Sequence, residues 1–354
     1  MGVLVLITGT GRSGTSTMSG TLHYLGLSVP GPHLKENESN PKGFFENLWS
    51  VKFHNALNER AGVNLFDSRP NAWDLVQGAI TPRDRTRLRK FLDGHRADQV
   101  VIKDPRSAFT QRLWREAAQE VGLEIRYICM LRHPAEVVGS RTTYYASKDP
   151  RRAHLYQITN VARWVNASLI SERETRGFPR AFVNYVDLLE DWRTPVAALG
   201  QDLGLTFTGD LTPGGTHLVD SFIEPSLRRH QPTWEDMSIP GDLSELAEDI
   251  WGQLQKLSQA HGHDEAAEAE MDLLTTRYHE LLQDFSAVVR DVITEARTSG
   301  GAAVRKEWAA ADAARTGDQR QLDEVGGREL VSVALGRLVR RLPGRKSATG
   351  SADG

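Results

Sequence analysis

Residues 3–25 constrain the fold more than any other stretch. A short branched run, Val3-Leu4-Val5-Leu6-Ile7, enters Thr8-Gly9-Thr10-Gly11-Arg12-Ser13-Gly14-Thr15-Ser16-Thr17, and a helical pattern follows from about Ser16 to Leu25. A buried strand that turns through glycines into a helix aims backbone N–H groups and a helix dipole at one spot. Such a unit belongs to an α/β sheet. Val100–Ile102, Ile125–Leu131 and Ala181–Tyr185 read as further buried strands, alternating with helical patterns. The expectation is a three-layer α/β domain over residues 1–260, with a mostly parallel sheet and a phosphate-loop-like first strand-loop-helix. The first run is short and lacks a basic leader or a cleavage site, so the fold is expected to begin at residue 3. No run approaches the 18 apolar residues of a membrane span.

The balance of 43 Lys+Arg against 46 Asp+Glu excludes a chain that binds nucleic acid over its whole surface, so any basic site is local. The single cysteine, Cys129, excludes a disulfide framework, a C-x-x-C redox pair and a multi-thiolate zinc site, and fits a reducing, cytoplasmic setting. The glycine loop is not a nucleoside-triphosphate loop. With Gly9 and Gly14 as its glycines, position 15 calls for lysine, and Thr15 stands there. The cation sits inside the loop instead, at Arg12, whose fork of donors suits a terminal oxyanion. A plain Gly-Ser-Thr turn is the competing reading.

Gly11-Arg12-Ser13-Gly14-Thr15-Ser16 resembles the 5′-phosphosulfate loop of sulfotransferases that use 3′-phosphoadenosine 5′-phosphosulfate, with a pattern close to [KR]-S-G-T-[ST]. Leu131-Arg132-His133-Pro134, followed by Ser140, is similar to the 3′-phosphate element of that family, an Arg with a Ser eight residues later. An Arg at a strand end and a Ser two helical turns on can converge on one phosphate. A helix-flanking salt bridge for Arg132 and a solvated Ser140 compete with this. Two anion sites on one sheet edge select a nucleotide charged at both 5′ and 3′ positions. Tyr185-Val186-Asp187-Leu188 looks like the family's Y-x-D-L segment, which implies that Tyr185 lines the adenine pocket; a core tyrosine is the alternative. Ile223–Arg229 is similar to a late loop that implies Arg228 and Arg229 over the 3′-phosphate, with ordinary surface charge as the alternative. The resemblance spans roughly residues 3–230, and the Arg-Lys-Gly triplet of the phenol-type branch is missing.

Sulfuryl transfer needs an in-line acceptor hydroxyl, a base for its proton and positive charge for the leaving phosphate. The resemblance implies a PAPS donor and no metal, with Arg12, the loop amides and Lys103 as the cations. In Lys103-Asp104-Pro105-Arg106, Pro105 stands where the phenol-type branch has its histidine base. The base is therefore sought elsewhere. Glu46 is preferred, because Asn40-Pro41-Lys42-Gly43-Phe44-Phe45-Glu46 resembles the N-P-K-G-[FY]-[FWY]-E pattern of bacterial members; Glu36, Asp104 and His33 follow. The implied enzyme is a bacterial-type sulfotransferase acting on a sugar, glycolipid or small-molecule hydroxyl, with no nucleic-acid partner. An ATP- and magnesium-dependent kinase and a non-catalytic nucleotide-binding protein are the alternatives.

Residues 261–345 read as a helical extension. Met271, Leu274, Tyr278, Leu281, Phe285, Val288 and Val292 keep heptad spacing on a helix from about residue 264 to 296, which fits a homodimer or a helix laid on its own domain. Arg328–Leu342 reads as a basic amphipathic helix for an anionic membrane surface or for the protein's own body, and residues 346–354 as a disordered tail.

Overall fold

Four short runs of apolar, largely branched residues form the four strands of one parallel sheet, in the order β2-β1-β3-β4. The computed structural model describes residues 2–291 apart from 38–39, 147, 213 and 224–230, together with residues 294, 295 and 298. The chain begins β1 (Gly2–Thr8), α1 (Thr15–Tyr24), α2 (Leu48–Ala61), α3 (Ala72–Ala79), α4 (Pro82–Asp93) and β2 (Gln99–Lys103). It continues with α5 (Gln111–Glu120), β3 (Leu123–Leu131), α6 (Pro134–Tyr145), α7 (Pro150–Thr175) and β4 (Arg180–Asn184). The helices α8 (Tyr185–Glu190), α9 (Arg193–Leu203), α10 (Leu218–Phe222), α11 (Gly241–Gln259) and α12 (Glu265–Val288) complete it. All four expected strands form, but Tyr185 opens α8 rather than ending β4.

Alternation along the strands builds the three layers. Leu4, Leu6, Val100 and Ile102 join the core beneath α2, α4, α5, α7 and α11, while Val5, Ile7 and Val101 join the core beneath α1 and α9. Side chains of a strand point to alternate faces, so Lys103, two residues beyond Val101, projects on the α1 side. Among the described residues, no helix is long and apolar enough to cross a membrane.

A compact unit runs from Met1 to Phe285, and a second begins at Ser286. Within the first, Met271, Leu274 and Tyr278 of α12 are buried in the same core as α11 and α7, and the Tyr278 hydroxyl donates to the Ala162 carbonyl oxygen at 3.0 Å. The early heptad positions are thus spent on the chain's own core, and Leu281 packs partly buried against it. Phe285 and Val288 are exposed. Residues 328–342 and 346–354 lie outside the described residues. Truncating Met271 to Ala should lower stability by about 2–5 kcal/mol, read from the urea midpoint. An unchanged midpoint would mean that α12 is dispensable to the core.

Candidate functional site

The parallel register delivers every strand's C-terminal end to one edge, where the order reverses about β1 and crossovers leave to opposite sides. Ile7 pairs with Lys103, Thr8 with Cys129, and Leu131 with Asn184. The glycine loop, Lys103, Arg132 and Tyr185 therefore meet around one cavity of about 410 Å³.

In the loop, Gly9, Arg12 and Gly14 take φ of 127°, 78° and 86°. The Ser13 amide donates to the Thr10 carbonyl oxygen at 3.1 Å, and the two hydroxyls lie 2.6 Å apart. Ser13 therefore ties the turn together from inside, with 1% of its surface exposed, and is not part of the cavity wall. Gly14 caps α1 without a side-chain acceptor. The first N–H groups of a helix have no intrahelical acceptor, and here Gly14, Thr15, Ser16 and Thr17 line the cavity.

Arg132 locks this loop. Its Nη1 donates to the Arg12 carbonyl oxygen at 3.0 Å, its Nε donates to Glu136 at 2.9 Å, and its guanidinium stands 5.0 Å over the Tyr185 ring. The Tyr185 ring in turn lies directly on Gly14, where an added Cβ would come within 2.1 Å of it. Glycine is required there twice over, by that approach and by its φ. The Arg12 Nε donates to Ser140 Oγ at 3.0 Å, and its guanidinium lies 4.9 Å from the Tyr144 ring centre. Burial lowers the Arg12 pKa, opposed by the neighbouring tyrosines and reinforced by the like charge of Arg132. Arg132 forms the helix-flanking ion pair of the competing reading, and it also lines the cavity. Ser140 reaches Arg12 rather than standing as a solvated residue.

The opposite wall is a buried ion network. Lys103 Nζ donates to Glu46 Oε1 at 2.5 Å, to Ser16 Oγ at 3.0 Å and to the Phe44 carbonyl oxygen at 3.3 Å. The lysine missing from position 15 is thus matched by one that reaches α1 from the neighbouring strand. Arg106 Nη1 donates to Glu46 Oε2 at 3.1 Å and to Asp104 Oδ1 at 2.8 Å. Asp104 meets His54 Nδ1 at 2.8 Å, and His54 Nε2 accepts from Trp114 Nε1 at 2.9 Å. Indole N–H only donates, which fixes the tautomer with the proton on Nδ1, donating to Asp104. Burial pushes the Asp104 carboxyl up, but His54 and Arg106 outweigh it and hold the group well below the ordinary carboxylate range.

Of the candidate bases, only Glu46 belongs to the cavity wall. Glu36 is exposed and lies outside that wall. Asp104 is fully buried and positions Arg106 and His54 instead. His33 bonds to the Val29 carbonyl oxygen at 3.3 Å. Arg228 and Arg229 lie outside the described residues. Sequence reasoning gave no role to Arg106, which its K-D-P-R segment offered, nor to Tyr144, one helical turn beyond Ser140 on α6. Asn40, whose Nδ2 donates to Ser16 Oγ at 3.1 Å, was equally passed over.

No family model and no curated protein matches the chain. Among solved structures, it is similar to the sulfotransferase domain from the Synechococcus PCC 7002 olefin synthase, at 16% identity and a TM-score of 0.39, over 74% of this chain and 94% of that one. It is also similar to the sulfotransferase domain from the curacin biosynthetic pathway, at 16% identity and a TM-score of 0.39, over 72% and 98%.

Because the folded-state pKa of Asp104 is depressed, its contribution to stability is complete above the unfolded value of about 3.9 and is lost as pH falls through the lower folded value. Asp104→Asn should therefore lower stability at neutral pH and flatten the acid limb of a plot of unfolding midpoint against pH. Parallel acid limbs for variant and wild type would remove Asp104 as the source of that dependence.

Proposed function

We propose that the chain is a sulfotransferase that uses 3′-phosphoadenosine 5′-phosphosulfate as donor and a hydroxyl as acceptor. The observation that carries this reading is the convergence on one cavity of two groups of hydrogen-bond donors and cations, each suited to an anion. One is the capless N-terminus of α1 with Lys103, and the other is the Arg12, Ser140 and Arg132 group. The α1 amides, Ser16 and Lys103 would hold the 5′ end, Arg132 and Ser140 the 3′-phosphate, and Tyr185 the adenine. The bound donor supplies the sulfuryl group and a stable bisphosphate leaving group. Arg12 and Lys103 oppose the negative charge that grows on the leaving side. Glu46 faces the cavity and takes the proton of the acceptor hydroxyl at a carboxylate oxygen. Lys103 and Arg106 hold that carboxylate in one orientation, so its position is set before any substrate arrives.

Thermal stabilisation by 3′-phosphoadenosine 5′-phosphate, compared with ADP and with ATP plus magnesium, tests the donor assignment. A ligand at a hundred times its Kd adds about 2.7 kcal/mol. The expected result is a magnesium-independent shift with the 3′-phosphorylated nucleotide that is weakened in Ser140→Ala and lost in Arg132→Ala. A preference for ATP with magnesium would replace this reading with a kinase. Glu46→Gln should keep nucleotide binding and lower turnover by about 10²–10⁴. Full turnover in that variant would assign the base elsewhere.

A further inference from the structure

Two cations of the cavity wall, Lys42 and Arg141, have no task in the donor scheme, and Lys42 donates to the Ser221 carbonyl oxygen at 3.3 Å. Arg141 follows Ser140 on α6 and lines the same cavity. Its guanidinium stands 5.3 Å from the Phe66 ring centre, and its Nη1 lies 3.3 Å from where a Cβ on Gly11 would sit. Arg141 therefore packs on the outer limb of the glycine loop, at the Phe66 wall.

Several other half-buried and buried arginines pair with carboxylates. Arg132 pairs with Glu136, Arg106 with Glu46 and Asp104, Arg69 with Asp67, and Arg180 with Glu172 and Glu268. Arg141 has no such partner: among the described residues no carboxylate lies within 4 Å of it, and its buried Nε has no hydrogen-bond acceptor. The groups that act on it are the Tyr156 hydroxyl, Tyr145 and a second cation, Arg163, whose own Nε is buried without an acceptor. Burial lowers the Arg141 pKa, opposed by a hydrogen bond with Tyr156 and reinforced by the like charge of Arg163. A desolvated guanidinium without a counter-charge is unfavourable in the free protein, and an anionic ligand relieves that cost. Leu65 and Tyr145, which line the same cavity, keep 38% and 51% of their surface exposed, so this part of the wall opens to solvent.

We infer that Arg141 is the anion-binding residue of the acceptor subsite, so that the acceptor carries a carboxylate or phosphate beside a flat ring that packs on Phe66 and Leu65. This rests on the proposed donor reading, in which Arg12, Arg132, Ser140 and Lys103 already serve both anionic ends of the nucleotide. Arg141 then sets which hydroxyl compounds are sulfated, and the lack of a carboxylate within 4 Å among the described residues keeps it available to that anion.

Calorimetric titration of the protein saturated with 3′-phosphoadenosine 5′-phosphate tests this with three probes: phenyl phosphate, benzoate and benzyl alcohol. The expected result is that at least one anion binds about tenfold or more tighter than the alcohol. The stronger of the two anions identifies the group. Arg141→Met and Arg141→Gln should abolish that preference, leave the nucleotide Kd within about twofold, and melt without ligand at or above the wild-type temperature. No anion preference in the wild type would overturn the inference, as would weakened nucleotide binding in both variants, which would assign Arg141 to the donor. A lower melting temperature in both variants would make it a structural residue and overturn the inference equally. Failure of the wild type to bind the nucleotide would sink the donor reading alone; the same probes titrated into the free protein would then decide on Arg141.

Discussion

The site depends on one constraint, the parallel register of β1 with β2 and β3. Because the strands run the same way, their C-terminal ends share an edge, and the residues that follow each strand meet without any long excursion of the chain. Side-chain parity then sorts them. Val5, Ile7, Val101 and Val183 face the α1 layer, and Lys103 and Tyr185 continue that parity into the cavity. A slip of β2 by one residue would exchange its buried face and turn Lys103 away from α1. Glu46 and Arg106 would then lose the cation that organises them.

The second determinant is how charge is shared on the buried side. Lys103, Glu46, Arg106, Asp104 and His54 form a chain in which each carboxylate lies between two donors. Taking such groups out of water is costly, and mutual attraction offsets the cost only when every member is satisfied. The Trp114 indole and the Thr110 hydroxyl close the chain at the His54 end. The wall opposite is different in kind: Arg132 pairs with Glu136, while among the described residues no carboxylate lies within 4 Å of Arg141. The cavity thus has a rigid, internally balanced side and a side with charge left over for ligands.

The glycine loop, the four strands and the Arg132 segment were legible in the sequence because each is a local pattern: a branched run, a turn that needs glycine, a helix start. The place of Glu46 at the cavity was legible through its neighbours in Asn40–Glu46. What the sequence could not disclose were pairings set by tertiary distance. Nothing in residues 50–60 marks His54 as the partner of Asp104, and Ser140 was assigned to a phosphate without sight of its bond to Arg12. The heptad in α12 shows the limit of periodicity, since 3/4 spacing describes a stripe and not what covers it. Met271, Leu274 and Tyr278 cover their own sheet domain.

The segment between α1 and α2 closes on itself at a narrow neck. The Leu34 amide donates to the Glu46 carbonyl oxygen at 2.8 Å, the Leu48 amide to that of Pro32 at 2.9 Å, and Asn47 Nδ2 to that of Pro30 at 3.0 Å. Glu46 sits at the neck, and the segment beyond it reaches the same network through Asn40, which donates to Ser16, and through the Phe44 carbonyl oxygen, which accepts from Lys103. Displacing the stretch from Asn40 to Phe44 would therefore reach Ser16 and Lys103, and through Lys103 the carboxylate of Glu46. A fold built this way ties the shape of the cavity's edge to the position of its buried ion network, so that the two change together.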